Sequence, residues 1–294
     1  MRHETGHEYN LDDRVSQLQS VMDTTGFELV FQPKFRATNG SIRGVEVLVR
    51  WPNADQAWQQ PDQFVRLAEE QALSTALDLQ VLTQTLRTLN SMPAGVRLSL
   101  SPISINISAA SVQDDGFLDA IKRILSSTHH PKLIFELTET APLGSLERAC
   151  NVFNSLTRYG VSLSIDDFLQ GHNDYSVLQA LPATEIKIDR KDVAMIHERR
   201  GFQRVAGIIT IAKQRDLLVT AEGIENEGQW SLLKSMGCDF CQGFWLAPPM
   251  DMTNLIRFSH DHQNKNAQEF ELRSRAFTGA FLGARNRKLK LAPR

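Results

Sequence analysis

The sequence has little of the material that builds disulfide scaffolds, membrane spans or polyanion-binding surfaces. Three cysteines in 294 residues are too few for a disulfide framework. The formal net charge is -2, from 32 basic and 34 acidic residues, so no overall field favours nucleic acid polymers or anionic membranes. No apolar run approaches the roughly 18 residues of a membrane span, and the start of the chain lacks the apolar core of a signal peptide. These absences predict a cytoplasmic protein with no transmembrane segment and no nucleic acid polymer as partner.

The cysteines themselves carry little chemistry. Cys238 and Cys241 form a C-x-x-C pair, and Cys150 stands alone. A zinc site of this kind needs a second pair of ligands, and none is suitably spaced. The sequence therefore predicts buried, reduced thiols beside a strand.

The chain is long enough to bury one sizeable core. With 41% hydrophobic and 22% charged residues, its composition is that of a globular protein. No Pro/Gly/Ser-rich linker interrupts residues 26–252, so we expect a single domain there, after a polar lead-in over residues 1–25. Residues 253–294 form a polar to basic extension with seven basic residues from Arg273 onward. That extension is either a solvated tail or a contact for a partner or an anionic surface.

Residues 27–250 alternate short apolar runs with longer stretches of helical periodicity. Eight runs are candidate strands: FELVFQP, GVEVLVRW, VRLSLSPISINIS, KLIFELTE, VSLSIDDF, EIKIDR, LLVTAEGIE and DFCQGFWL. The stretches with apolar spacing near 3.6 are 64–89, 117–124, 146–159, 177–181, 202–212 and 230–236. Eight such repeats predict a TIM-like (β/α)8 barrel. The pair Asn39-Gly40 between the first two runs indicates a hairpin, so one strand should be antiparallel.

Polar groups interrupt or follow almost every predicted strand, where the barrel would bring them to one mouth. They are Glu46, Asn106, Glu136, Asp166, Asp167, Lys187, Glu222 and Gln242. Five carboxylates that converge would repel one another unless divalent cations neutralise them. Carboxylate and amide oxygens suit Mg2+ or Mn2+ better than zinc. A hard-metal site is therefore predicted.

Several of these positions have a second interpretation. Asp166 and Asp167 would point to opposite faces of a regular strand, so both reach a metal only if the strand ends or bulges there. Lys187 either pairs structurally with Asp189 or Glu185, or orients a nucleophilic water and stabilises phosphate charge. Glu139 and Glu225, each three residues beyond a proposed ligand, are either supporting groups around the metal site or loop anchors, or helix caps.

The order and spacing of these residues resemble the EAL phosphodiesterases across about residues 26 to 250. The name motif stands here as Glu46-Val47-Leu48, with Val in place of the usual Ala. The other matching blocks are Gln32-Pro33, the run from Pro61 to Glu69, INIS ending at Ser108, ELTET, SIDDF, IKIDR, AEGIE and GCDFCQG.

The resemblance implies a function and a role for each matched residue. The implied reaction is hydrolysis of cyclic-di-GMP to linear 5'-pGpG with Mg2+ or Mn2+, two ions per site. Metal ligands carry over to Glu46, Asn106, Glu136, Asp166, Asp167 and Glu222. The catalytic set carries over to Glu46, Lys187, Glu222 and Gln242, and substrate contacts to Gln32, Leu48 and Arg50. Glu139, Asp189 and Glu225 match supporting or loop positions, and the resemblance also implies a homodimer, open to a regulatory protein partner.

One segment departs from the family pattern. The family has DDFG(T/A)GYSSL after the Asp pair, whereas this chain reads DDFLQGHNDYSVL. Leu169 carries a Cβ where Gly could adopt φ > 0, so we expect a different backbone path and a low basal activity that depends more on Mn2+ and on dimerisation. Two alternatives stay open: a weak or inactive module that binds cyclic-di-GMP or a protein, and an unrelated metal-dependent barrel enzyme such as an enolising lyase.

Overall fold

The structure is a computed structural model that describes residues 11–24, 26–51, 61–138, 143–170 and 175–264. The chain divides into two compact units, Met1–Asp251 and Met252–Arg294. The first contains the barrel, and the described part of the second is helical over residues 252–264. Among the described residues, no helix is long and apolar enough to cross a membrane. The basic residues from Arg273 onward lie outside the described residues.

Within the described part of the chain, eight strands close into a barrel in sequence order. The strands are β1 (Glu28–Arg36), β2 (Ile42–Arg50), β3 (Ile103–Ile107), β4 (Leu133–Leu137), β5 (Val161–Ile165), β6 (Ala183–Ile188), β7 (Leu218–Ala221) and β8 (Phe240–Cys241). The strand pairs from β2 to β8 are parallel, and β1 is antiparallel to both β2 and β8. The predicted barrel with one antiparallel strand is confirmed.

Helices follow most strands and cover the barrel. They are α1 (Leu11–Thr24), α2 (Pro61–Glu70), α3 (Ser74–Asn90), α4 (Ala94–Ser99), α5 (Ala109–Gln113), α6 (Phe117–Ser126), α7 (Leu146–Thr157), α8 (Tyr175–Ala180), α9 (Arg190–Ala194), α10 (Arg199–Lys213) and α11 (Glu227–Ser235).

The β1–β2 hairpin forms where the Asn39-Gly40 pair predicts it. Gly40 has a φ of 69°, a left-handed conformation that costs glycine little. Its N–H donates to Arg36 O, and Arg36 N–H donates to Ser41 O, which closes the turn. The hairpin sets Gln32 opposite Glu46 and so fixes where both strands deliver their side chains.

Two predicted elements have different boundaries. The stretch 64–89 is two helices, α2 and α3, because Ala72 adopts a φ of 55° and interrupts the helical path. The run VRLSLSPISINIS is a strand only over β3, and most of its first part is the short helix α4. Pro102 has no N–H to give to a ladder, so the parallel pairing with β2 starts at Ile103.

The period of two along each strand separates an apolar shell from a polar interior. On β3, the fully buried Ile103, Ile105 and Ile107 share one face, while Ser104 and Asn106 share the other. Asn106 donates to Glu46 on β2, so this second face points into the barrel. The interior of the barrel is therefore lined by polar side chains, which is costly unless they serve one another or a ligand.

Candidate active site

The predicted polar residues meet at the ends of the strands. Glu46 lies on β2, Asn106 on β3, Glu136 on β4 and Lys187 on β6, while Asp166, Asp167, Glu222 and Gln242 directly follow β5, β7 and β8. In parallel pairing Asn106 lies beside Glu136. We call Glu46, Asn106, Glu136, Asp166, Asp167, Lys187, Glu222 and Gln242 the mouth cluster.

Lys187 is the centre of the mouth cluster. Its side chain is 1% exposed, and Nζ lies 2.5 Å from Glu222 Oε1 and 2.7 Å from Glu136 Oε2. Asp166 Oδ1 is 3.1 Å from the same nitrogen, and Glu46 Oε2 is 3.8 Å away. The alternative pairing with Asp189 or Glu185 is therefore not the arrangement found, since Lys187 pairs with four acids of the mouth.

Glu46 is held by amides from both sides. Asn106 Nδ2 donates to its Oε1 at 3.0 Å, and Gln242 Nε2 donates to its Oε2 at 2.7 Å. Gln242 Nε2 also lies 2.9 Å from Gln32 Oε1, and Gln32 Nε2 donates to Ala247 O at 3.0 Å. This chain of amides orients the carboxylate and fixes Gln32, on β1, beside it.

The two neighbouring aspartates reach the same place because β5 stops just before them. The strand ends at Ile165, Asp166 N–H donates to Leu137 O, and Asp167 turns through a φ of 47°. One carboxylate oxygen each from Asp166, Asp167 and Glu222 lies within 4.8 Å of the others. The prediction that the strand must end or bulge here is confirmed.

The AEG segment after β7 delivers Glu222. Glu222 N–H donates to Ile188 O, which continues the β6–β7 pairing by one residue. Gly223 follows with a φ of 67°, and a Cβ there would lie 2.5 Å from Cβ of Arg190. A glycine is required so that the chain can turn away directly after the carboxylate.

The charges of the mouth are out of balance. Burial raises the pKa of Glu222 well above its usual range and also raises the pKa of Glu46, because one ammonium group serves several acids. Burial works in the same direction on Glu136, but Lys187 and Lys34 hold its pKa at about 2. Burial opposes the charge of Lys187, yet the surrounding carboxylates raise its pKa well above the usual value.

A second set of charges lies deeper in the barrel, and sequence reasoning missed most of it. Lys34 Nζ lies 2.6 Å from Glu136 Oε1 and 3.5 Å from Glu185 Oε1. Glu185 Oε1 also accepts from Ser164 Oγ at 3.3 Å and Thr220 Oγ1 at 3.1 Å. We call Lys34, Glu185, Ser164 and Thr220 the inner layer. Strand periodicity offered a signal, since Lys34 shares a face with Gln32 and Glu185 shares one with Lys187.

The remaining predicted residues lie around the mouth. Leu48 and Arg50 are half-buried and share the face of Glu46 further along β2, as predicted. Asp189 is buried and caps α9 by accepting from Lys191 N–H. Glu225 is exposed, and its backbone N–H donates to Gln229 Oε1. Glu139 lies outside the described residues.

Leu169 does not avoid the left-handed region. Its φ is 64°, so the Cβ has not displaced the backbone from the conformation that glycine would favour. The expectation of a different path is therefore wrong at this residue. Residues 171–174 of the altered segment lie outside the described residues. Cys241 lies in β8 and Cys238 shortly before it, and both are free and buried, as predicted, whereas the free Cys150 is only half-buried.

The mouth cluster has the donor chemistry of a site for hard cations. Its carboxylates, with Glu185 below them, number six against the two ammonium groups of Lys34 and Lys187 in this described set. Gln242 Oε1 is buried and has no hydrogen-bond partner among the described residues. Divalent cations and their water would supply the missing charge and the missing donor. The residues therefore fit Mg2+ or Mn2+.

The fold and site together define a TIM-like barrel with an acidic, cation-type centre at the carboxyl ends of its strands. A profile of the EAL domain family matches residues 15–249. The chain belongs to this family.

Two relatives and two solved structures show how far the similarity extends. The chain is 31% identical to the bifunctional diguanylate cyclase/cyclic di-GMP phosphodiesterase MucR of Pseudomonas aeruginosa, over 81% of this chain and 35% of that one. It is 34% identical to the cyclic di-GMP phosphodiesterase PdeL of Escherichia coli, over 80% of this chain and 66% of that one. The chain thus spans about a third of the first relative and just under two thirds of the second.

The solved structures resemble the barrel closely. The PaMucR phosphodiesterase in complex with c-di-GMP aligns with a TM-score of 0.74 at 31% identity, over 82% of this chain and 98% of that one. The EAL enzyme Bd1971, with cAMP and cyclic-di-GMP bound, aligns with a TM-score of 0.77 at 26% identity, over 85% and 69% of the two chains.

Proposed function

We propose that the protein hydrolyses one phosphodiester of cyclic-di-GMP to give linear 5'-pGpG, with two Mg2+ or Mn2+ ions in the mouth cluster. The observation that carries this proposal is the convergence of Glu46, Glu136, Asp166, Asp167 and Glu222 around one buried lysine. Cyclic di-GMP phosphodiesterases among the relatives support the choice of substrate.

The proposed ligands are the mouth carboxylates together with the amide oxygen of Asn106. When bound, the cations would activate the attacking water and offset negative charge on the phosphoryl oxygens. Asn106 already uses Nδ2 to hold Glu46, which leaves its Oδ1 as the oxygen suited to a hard cation. Amide donors from Asn106 and Gln242 hold both oxygens of Glu46, and this fixes the orientation of the carboxylate as a proposed ligand.

Lys187 and Gln242 would act on the water and the phosphate. Nζ of Lys187 lies among four carboxylates, an environment that favours its charged form, so we assign it as a donor that orients the water and stabilises developing charge. Gln242 Oε1 would accept a hydrogen bond from that water, a role supported by its being buried and unpartnered among the described residues. Gln32, Leu48 and Arg50 would contact the nucleotide beside them.

The family resemblance also supports a homodimer that a regulatory protein partner can influence. We propose this assembly for the barrel, over residues 26–252, with residues 1–25 and 253–294 as extensions outside the catalytic domain. We also propose that the protein acts in the cytoplasm, where the nucleotide messenger is met.

The test is product analysis. Purified chain should convert cyclic-di-GMP to 5'-pGpG with Mg2+ or Mn2+, as resolved by chromatography, and a parallel titration in Ca2+ should show binding. Binding in Ca2+ with no product in either Mg2+ or Mn2+ would contradict hydrolysis and favour a binding module. Absence of both binding and product would reject the nucleotide as ligand.

A further inference from the structure

The backbone after the two aspartates is held in an unfavourable conformation. Asp167 has a φ of 47° and Leu169 a φ of 64°, so two residues with a Cβ occupy the left-handed region within three positions. Such a path persists only where surrounding contacts fix it. Some of those contacts involve the mouth cluster itself, since Asp167 N–H donates to Asp166 Oδ1 at 3.0 Å. Others come from groups that the proposed chemistry does not use.

Arg204, on α10, makes the main contact. Its Nη2 donates to Leu169 O at 2.6 Å, while its Nε lies 2.7 Å from Asp192 Oδ1 and 2.8 Å from Oδ2. Gln170 Nε2 donates to the same Asp192 Oδ2 at 3.0 Å. The planar guanidinium thus holds a carbonyl and a carboxylate at once, which suits its fixed fork of donors. We call Arg204, Asp192 and Gln170 the clamp.

The charges of the clamp are paired, and its residues are attached to regular secondary structure. Asp192 is 1% exposed, and a carboxylate buried to that degree needs a partner such as Arg204. It lies on α9, which starts directly after β6, the strand that carries Lys187. Phe168, between the aspartates and the clamp, is fully buried, and its N–H donates to Lys187 O at 3.2 Å. The segment after Asp167 is therefore tied both to β6 and, through the clamp, to α9 and α10.

We infer that the clamp positions Asp166 and Asp167 as cation ligands. By fixing the carbonyl of Leu169, Arg204 keeps the turn that brings both carboxylates to the same side of the mouth, within reach of Glu222. Arg204, Asp192 and Gln170 are positioning residues that act through this turn. The inference rests on the proposed function, because it assigns the purpose of the turn to cation binding.

The test compares four variants with the wild type. Arg204→Gln removes the ion pair, Arg204→Lys keeps a charge opposite Asp192 but loses the fork, and Gln170→Ala removes one hydrogen bond. Lys213→Met is the matched control, since Lys213 also lies on α10 and pairs at 2.5 Å with Asp239, away from this turn. The readouts are Mn2+ affinity from the resonance of free Mn2+, kcat and KM for cyclic-di-GMP, and the melting temperature without metal.

We expect Arg204→Gln to weaken Mn2+ binding by about 10- to 100-fold, the range found when groups that orient metal ligands are removed. Its kcat at fixed Mn2+ should fall while KM for cyclic-di-GMP stays close to that of the wild type, and excess Mn2+ should restore part of the loss. Arg204→Lys should keep the melting temperature of the wild type and still lose Mn2+ affinity. Gln170→Ala should show a smaller loss in the same direction, and Lys213→Met none.

Arg204→Lys and Gln170→Ala test the positioning role of the clamp even if Arg204→Gln fails to fold. If both bind Mn2+ as tightly as the wild type, with any effect confined to the melting temperature, the clamp is only structural and the inference is overturned. If the variants lose Mn2+ affinity but the wild type cleaves no cyclic-di-GMP, the proposed function fails and the positioning role stands.

Discussion

The mouth cluster and the inner layer occupy the same barrel interior but differ in how their charges are met. In the inner layer, Lys34 faces Glu185, and that carboxylate also accepts from Ser164 and Thr220. In the mouth, Lys187 is the ammonium that pairs with Glu46, Asp166 and Glu222 among the described residues, and it shares Glu136 with Lys34. The inner layer is satisfied by the protein itself, whereas the mouth has a deficit of positive charge.

This difference distinguishes buried polar residues that stabilise the fold from buried polar residues that bind a ligand. A buried ion pair with its hydrogen bonds complete contributes to a single, ordered core, and removing one partner is costly. Buried acids that remain unbalanced are kept at the expense of stability, and such sites are where ligands bind. Mutations in the inner layer should therefore affect folding, and mutations in the mouth should affect chemistry.

The largest effect is expected for loss of a mouth carboxylate. Glu222→Ala or Glu46→Ala should abolish turnover of cyclic-di-GMP, because each removes a proposed cation ligand. The metal-free melting temperature should not fall, since each change also relieves repulsion among the acids. Glu227→Ala, at the exposed start of α11, is the matched control. Full turnover in both mouth variants would contradict the assignment of the site.

The next largest effect is expected for Lys187→Ala. Its Nζ is assigned to orient the water and stabilise charge in the transition state, so kcat should fall by about 10²- to 10⁴-fold. KM should change far less, because the substrate contacts are assigned to Gln32, Leu48 and Arg50. Steady-state kinetics over a range of substrate concentrations measure both constants. A raised KM with full kcat would show that Lys187 serves binding instead.

A mutation in the inner layer should lower the stability of the fold. Lys34→Met leaves Glu185 without a buried counter-ion and leaves Glu136 with Lys187 alone, and we expect a loss of about 3 to 5 kcal/mol in the free energy of unfolding. Denaturant titration without metal measures it. Arg66→Met is the control, because the exposed Arg66–Glu70 pair should contribute only about 0.3 to 0.5 kcal/mol. Equal losses in the two variants would show that the inner layer is not the stabilising region.

The smallest effect concerns Asp78, which lies outside both regions on α3. Burial raises its pKa from 3.8 to about 6, although Ser108 and Ser111 donate to it and oppose the shift. The folded state then holds the proton more tightly than the unfolded chain, so this residue's contribution to stability is present below pH 3.8 and falls as the pH rises to about 6.

Asp78→Asn should remove that part of the pH dependence. The unfolding free energy of the wild type, relative to the variant, should decrease between those two pH values, as measured by denaturant titration at a series of pH values. A constant difference across the range would show that Asp78 titrates alike in both states.

The sequence predicts the fold and most of the mouth because one physical rule governs both. Alternation of strands and helices gives the barrel, and the carboxyl ends of parallel strands bring Asn106, Glu136 and Asp166 together. Glu222 and Gln242 follow the same rule. These positions can be read without knowledge of any side-chain contact.

The features that the sequence does not predict are contacts between residues that lie far apart along the chain. Lys34 and Glu185 are separated by 151 positions, and no local pattern joins them. The same is true of Arg204 and Leu169, which meet only because α10 packs near the turn after Asp167. Leu169 also shows that tertiary contacts can hold a residue in a conformation that its own Cβ disfavours.

Calorimetric titration of Mn2+ into the metal-free protein tests the central claim most directly. The account predicts about two ions bound per chain, the number expected for a two-metal phosphodiesterase, and strongly weakened binding in Glu222→Ala. Lys34→Met, wherever it remains folded, should still bind Mn2+, because the inner layer carries no proposed cation site. Absence of Mn2+ binding by the folded wild type, or equal binding by Glu222→Ala, would contradict the claim that the mouth cluster is a cation site.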